Sequence, residues 1–138
     1  MEIFKAGSRA TRRAPAELFT GTVWQDPIIE APDPARITAL RVSFEPGART
    51  AWHTHPYGQT LHVMHGAGLV CLRGEAPRVM LAGDTVWIPP DVEHWHGAAP
   101  DNSMVHLALQ ELKDGSPADW LEHVSDEDYS IPPEVSDR

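Results

Sequence analysis

Apolar residues along this chain come in short alternating runs rather than in long stripes. Residues 104–110 put Val105, Leu107 and Leu109 on one side of an extended segment. Met104, His106, Ala108 and Gln110 fall on the other, because side chains alternate with period two. The first face suits a core or an interface. The second mixes apolar and polar groups, as the wall of a wet cavity does. In 36–44, Thr38, Leu40, Val42 and Phe44 share one side and should line the same interior. Similar runs at 20–24, 51–55, 59–64, 67–73, 78–81, 85–88 and 94–98 are each bounded by Gly, Pro, Asp or Asn. These residues favour turns for steric and hydrogen-bonding reasons. The pattern predicts an all-β sandwich or barrel. Pro27, Pro32 and Pro34 mark a loop before the main barrel. Ser116 as a cap, Pro117 just inside it, then Ala118, Trp120, Leu121 and Val124 predict a helix over 116–124. The acidic, Pro-containing stretch 125–138 is expected to fray. The 138 residues form one domain by size, with its barrel core at about 36–112.

Composition narrows the function classes. Twenty acidic and eleven basic residues give a net charge of −9, which argues against nucleic acid and anionic membrane surfaces as partners. No apolar run is long enough for a membrane span. The first residues lack the apolar segment of a secretory signal, so the expected compartment is the cytoplasm. Cys71 is the single cysteine. It offers neither a disulfide nor a thiolate zinc cluster and reads as a packed strand thiol.

The chemistry concentrates between Gly47 and His94. His53 and His55 stand at i and i+2, on one face of a strand, with Cα atoms ~6.6 Å apart, so both imidazoles can tilt onto one ion. Gln59 and His94 are plausible third and fourth ligands. His62 has the opposite parity and, with His65, should face solvent. His123 should also be solvated. Trp52, Trp87 and Trp95 have parity opposite to the ligands and read as packing residues.

Two motifs carry a family resemblance. Gly47-x5-His53-x-His55-x3-Gln59-x6-Gly66 and Gly83-x5-Pro89-x-Asp91-x2-His94 resemble the two cupin motifs. Gln59 stands where cupins usually have glutamate, and Asp91 and Ala98 replace the usual glycine and asparagine. The resemblance implies a small single-domain cupin jelly-roll barrel, here with a short C-terminal helix. Further stretches are similar to the bacterial cupin-type, manganese-dependent hydroxynitrile lyases. They are Phe19–Val23, Phe44–Pro56, Gly58-Gln59-Thr60-Leu61, His94–Pro100 and the His106/Gln110 strand. That similarity implies His53, His55, Gln59 and His94 as metal ligands, Mn²⁺ as the ion and His106 as the base.

A shell of three imidazoles and an amide leaves the +2 charge uncompensated, which favours a Lewis acid over an oxygen-activating redox centre. By donor chemistry alone Fe²⁺ and Zn²⁺ are alternatives to Mn²⁺. Reversible cleavage of a cyanohydrin to aldehyde or ketone plus HCN fits such a site, with a base titrating near neutrality. His96 shares parity with His94 and could support the site. Gln110 could orient a nitrile or a water. Leu40, Val42, Met104 and Ala108 would form an apolar wall for a small-molecule substrate. Two other readings stay open, a mononuclear metal cupin oxygenase and a non-catalytic cupin that binds a small metabolite. Cupin barrels resembling this one pair through sheet faces, so a homodimer or homotetramer is expected.

Overall fold

A computed structural model describes residues 1–135 and 138. Among the described residues, twelve strands and one short helix follow in the order β1 (Arg12–Arg13), β2 (Phe19–Thr20), β3 (Val23–Glu30), β4 (Ile37–Phe44), β5 (Arg49–Thr50), β6 (His53–Thr54), β7 (Gln59–Leu72), β8 (Arg78–Leu81), β9 (Thr85–Ile88), β10 (His94–Ala98), β11 (Met104–Glu111), β12 (Asp119–Trp120) and α1 (Asp126–Tyr129). The all-β barrel expected from the alternation is present.

β7 joins the two walls. Its first half pairs antiparallel with β11 and β9, in a wall continued by β4, β3 and β1. Its second half pairs with β10 and β8, in a wall completed by β5, β6, β2 and β12. The sequence reads as two strands here because Gly66 interrupts the apolar run. Gly66 instead holds the corner within one strand. Its φ is +79° and a Cβ there would strike the Ser103 carbonyl oxygen, so no other residue fits. The β7–β11 register slips beside it, between Val105 and His106, as at a bulge that bends a strand.

Between the walls lie Val23, Val42, Phe44, Leu61, Val63, Met80, Ile88, Ala98 and Met104. A second cluster, Trp52, Leu69, Cys71, Trp95, Val124 and Tyr129, packs outside the β10 wall. β10 is therefore buried on both faces, with His94 and His96 inward and Trp95 outward. Trp52 and Trp95 are packing residues as expected. Trp87 is not, being 59 % exposed on the outer face of β9. Cys71 is buried, and burial pushes its thiol up to about 11.

Three sequence expectations need correction. Pro27 lies inside β3, at a register slip beyond the part of β3 that β1 covers, where a missing N–H is tolerated. The helix expected over 116–124 is absent. Lys113–Ser116 close a turn and Asp119–Trp120 pair with His53–Thr54, so tertiary pairing overrides the capping signals. The helix instead occupies Asp126–Tyr129, capped by Ser125, whose side chain accepts from the Asp128 N–H. This is the stretch expected to fray. Tyr129 donates to the Ala98 carbonyl at 2.7 Å. Buried Arg49 donates to the Val124 carbonyl at 2.8 Å and to Asp126 at 2.9 Å, and its guanidinium lies over the Tyr129 ring.

Tyr129 thus fastens the C-terminal segment over Trp95. Tyr129→Phe should lower the unfolding free energy by about 1 kcal/mol, and Tyr129→Ala by about 3–5 kcal/mol, in the range for a large buried aromatic side chain. Urea unfolding of the two variants checks this. Equal, negligible losses would show that the clasp contributes nothing.

Candidate active site

Successive cross-strand rows build one side of the site. Thr38, Gln110 and Gln59 are register partners across β4, β11 and β7. Leu40, Ala108 and Leu61 form the next row. Gln25, Val42, His106 and Val63 form the third, and Val23, Phe44, Met104 and Gly66 the fourth. Facing them, β6 carries His53, opposite His94 of β10, with His55 just beyond. The rows enclose a cavity of about 110 Å³. Leu40, Val42, Ala108, His53, His55, Gln59, His96, His106 and Gln110 line it. Met104 does not. It is fully buried in the lowest row, and its side chain fills the space above Gly68, so it closes the barrel floor rather than walling the cavity.

The histidines are held by backbone groups. Nδ1 of His53 lies 2.9 Å from the Ala51 carbonyl, that of His94 2.9 Å from the Val92 carbonyl, and that of His55 2.8 Å from the Pro117 carbonyl. A carbonyl only accepts, so each Nδ1 carries the hydrogen. In the neutral ring each Nε2 then presents a lone pair. The His53 ring lies 4.2 Å from that of His94, 4.9 Å from His55 and 5.3 Å from His96. Trp120 stacks on His53 at 4.5 Å. Ring nitrogens of His53, His94 and His96 all lie within 4.8 Å of one another.

Gln59 completes the cluster. Gln110 Nε2 donates to the Thr38 hydroxyl at 2.7 Å and faces the Thr38 carbonyl at 3.4 Å, while that hydroxyl's own hydrogen goes to the Gln110 backbone carbonyl, so Gln110 Oε1 is the end that accepts from Gln59 Nε2 at 3.0 Å. That leaves Gln59 Oε1 facing His94 Nε2 at 3.3 Å. The Nδ1 of His94 holds the ring's hydrogen, so two acceptors confront each other with no proton between them. The Nε2 atoms of His55 and His96 are buried without a partner. Converging lone pairs of this kind fit a cation. This cluster of buried histidines could hold a metal ion, with nitrogen and amide oxygen as donors.

The rings are neutral. Burial is the first cause that lowers His53, His55 and His96, and it brings His94 and His106 down to about 4. The expectation of a base titrating near neutrality is corrected accordingly, because His106 is fully buried. Its Nε2 lies 2.9 Å from His96 Nδ1, while His106 Nδ1 has no partner. His96 is thus bonded directly to His106. Gln110 is tied to Gln59 and Thr38 rather than free to orient a ligand. His62 is half-buried against the Thr85 hydroxyl, and His65 and His123 are exposed.

Two contributors escaped the sequence reading. The Ser116–Trp120 strap supplies Pro117, Ala118 and Trp120 to the cavity. Gln25 lines it from β3, and parity along 20–24 could have flagged it, since Val23 and Gln25 point the same way.

A β-barrel with buried histidines gathered inside one end defines a class, and the sequence comparisons agree with it. The Cupin domain family matches residues 40–109, and the chain belongs to that family. An (R)-mandelonitrile lyase of Granulicella tundricola is 55 % identical over 129 residues, covering 94 % of this chain and 98 % of that protein. A cupin-like protein of Thermotoga maritima is 40 % identical, with a TM-score of 0.83 over 99 % of this chain and 100 % of that one. A polyketide cyclase of Streptomyces resistomycificus has a TM-score of 0.73 over 94 % of this chain and 90 % of its own. At 17 % identity it shares the fold alone.

Burial of neutral imidazoles has a pH signature. The unfolded chain takes up protons on histidine below about 6.5, whereas folded His94 and His106 resist until about 4. Between those values the unfolded state binds more protons, so stability rises with pH. The contribution is complete above about 6.5 and is lost as pH falls to about 4. Urea unfolding of chelator-treated protein from pH 4 to 7 should show that slope. A flat profile would contradict neutral burial.

Proposed function

We propose that this chain is a metal-dependent hydroxynitrile lyase. It would reversibly cleave a cyanohydrin to an aldehyde or ketone and HCN. The observation that carries the reading is the confrontation of Gln59 Oε1 with His94 Nε2, beside the buried, neutral His96–His106 pair. The mandelonitrile lyase 55 % identical to this chain supports cyanohydrins as the substrate class.

His53, His55, Gln59 and His94 are the ligands in this reading. The neutral N/O set accepts Mn²⁺, Fe²⁺ or Zn²⁺, and the motif similarity favours Mn²⁺. When bound, the ion supplies Lewis acidity at the substrate oxygen. His106 takes the hydroxyl proton, and the O–H pair becomes the second bond of the carbonyl. The C–C pair leaves with cyanide, which recovers the proton from His106 as HCN. His96 holds the His106 ring through their shared hydrogen bond. Because burial makes its imidazolium more acidic than a free one, His106 returns the proton readily. Leu40, Val42 and Ala108 hold the organic group and exclude water. The −9 charge suits a small neutral substrate rather than nucleic acid, and we take the cytoplasm as the compartment. Trp24, Leu107 and Leu109 on the outer face of the β3–β4–β11 wall favour a homodimer or homotetramer paired there.

Elemental analysis of protein produced with manganese, followed by a mandelonitrile cleavage assay, tests the reading. His53→Ala and His94→Ala should lose most metal and all lyase activity. His106→Ala should keep the metal and lose roughly 10²–10⁴-fold in rate. Metal lost with His106 would make it structural or a ligand, and near-native turnover would remove it as the base. In the native protein the acid limb of the pH–rate profile should lie below the ordinary imidazole range.

Gln59→Glu should retain the ion while placing a negative charge at bonding distance from it. Cyanohydrin turnover should fall and the metal should oxidise more easily. Equal or better turnover in this variant would sink the argument from a neutral shell.

A further inference from the structure

Gln25 is an unassigned polar group in the cavity wall. It sits on β3, is 8 % exposed and lines the same cavity as the histidines. Its side-chain oxygen accepts from Arg12 Nε at 3.0 Å. Arginine has only donors, so the atom facing it must be oxygen, and the amide cannot be turned round. Nε2 then carries two hydrogens. It donates to no protein group among the described residues, yet it is not sealed away from solvent-sized space. The other amides differ, since Gln59 Nε2 and both ends of Gln110 are engaged.

Its position adds to this. Gln25 and Val42 are register partners, as are Val42 and His106. The donor and the histidine therefore flank Val42 in one row, their Cα atoms roughly 10 Å apart at the usual strand spacing. Arg12 is the cross-strand partner of Gln25. Its positive charge on the amide oxygen draws electron density from the nitrogen and sharpens N–H donation.

We propose that Gln25 binds the nitrile nitrogen of the substrate through Nε2–H, with Arg12 as its positioning residue. This rests on the lyase reading above. In the cyanohydrin the nitrile nitrogen is a neutral acceptor. As the C–C bond breaks, negative charge gathers on the departing cyanide, so the hydrogen bond strengthens toward the transition state. An interaction of that kind raises rate as well as affinity. The row geometry divides the substrate's polar ends, with the hydroxyl on the histidine side and the nitrile toward β3.

Calorimetry on the manganese-loaded protein tests it with two non-cleavable probes, phenylacetonitrile and benzyl alcohol. Gln25→Leu should weaken phenylacetonitrile by ~3–10-fold and leave benzyl alcohol and manganese content unchanged. In the same variant kcat/KM for mandelonitrile should fall ~10–100-fold, as expected for a hydrogen bond to developing charge. Arg12→Met, at an exposed position, should shift the nitrile affinity in the same direction and gives the answer if Gln25→Leu does not fold. Unchanged nitrile affinity, or equal weakening of both probes, would overturn the assignment. If the native protein cleaves no cyanohydrin, the lyase reading fails, while the difference between the probes still decides the role of Gln25.

Discussion

Gln59 has one amide oxygen, and Gln110 decides where it points. The row Thr38–Gln110–Gln59 works as a ratchet of donors and acceptors, because each amide has one end of each kind. The threonine hydroxyl takes the Gln110 NH₂, the Gln110 oxygen takes the Gln59 NH₂, and the Gln59 oxygen is left facing the imidazoles. Turning Gln59 alone would set oxygen against oxygen, while turning Gln110 alone would set NH₂ against NH₂ and bring its oxygen against the Thr38 carbonyl. Buried polar networks cost free energy unless fully satisfied. This one is satisfied at every position but the last, which is the position that faces the histidines.

The same logic governs the imidazoles. Carbonyls of Ala51, Val92 and Pro117 fix three Nδ1–H groups and so point three lone pairs inward. Two of these carbonyls come from the bends just before His53 and His94. The third comes from the strap, far along the chain. The strap is therefore part of the site's support: it fixes the His55 tautomer and lays Trp120 on the His53 ring. The clasp of Arg49 and Tyr129 holds the next segment against the opposite side of β10. The C-terminal part of the chain thus supports β6 from the strap and the outer face of β10 from the clasp.

Much of this was legible in the sequence. Period-two alternation marked β4, β8, β9, β10 and β11 closely, since each has one face in the interior. Parity also placed His94 with His96 and His106 with Gln110. What escaped has physical causes. Capping signals at Ser116 and Pro117 describe local preference, and the pairing of Trp120 with His53 outweighs it. Pro27 broke a strand on paper but sits where no partner needs its N–H. Gln110 faced the cavity as parity required, yet parity could not show that its hydrogen bonds were already committed. Met104 shares the inward face but lies one row too deep to reach the cavity. Gln25 was overlooked because the strand was ended at Trp24, ahead of the loop marked from Pro27, whereas β3 runs on to Glu30.

Among the described residues, no aspartate or glutamate lines the cavity. Backbone carbonyls orient His53, His55 and His94, His96 and His106 hold each other, and the glutamine is oriented by an amide and a hydroxyl. Many metal sites place carboxylates behind their histidines, which raises the basicity of the ligands. Here the supporting groups are dipoles, with no formal charge to offset a cation. A cation in this cluster would keep most of its field for whatever occupies the cavity. The neutral His96–His106 pair removes a competing positive charge from the same space. A site arranged in this way attracts negative charge only as that charge appears. It therefore suits a neutral substrate whose reaction separates charge inside the cavity better than one that arrives already ionised.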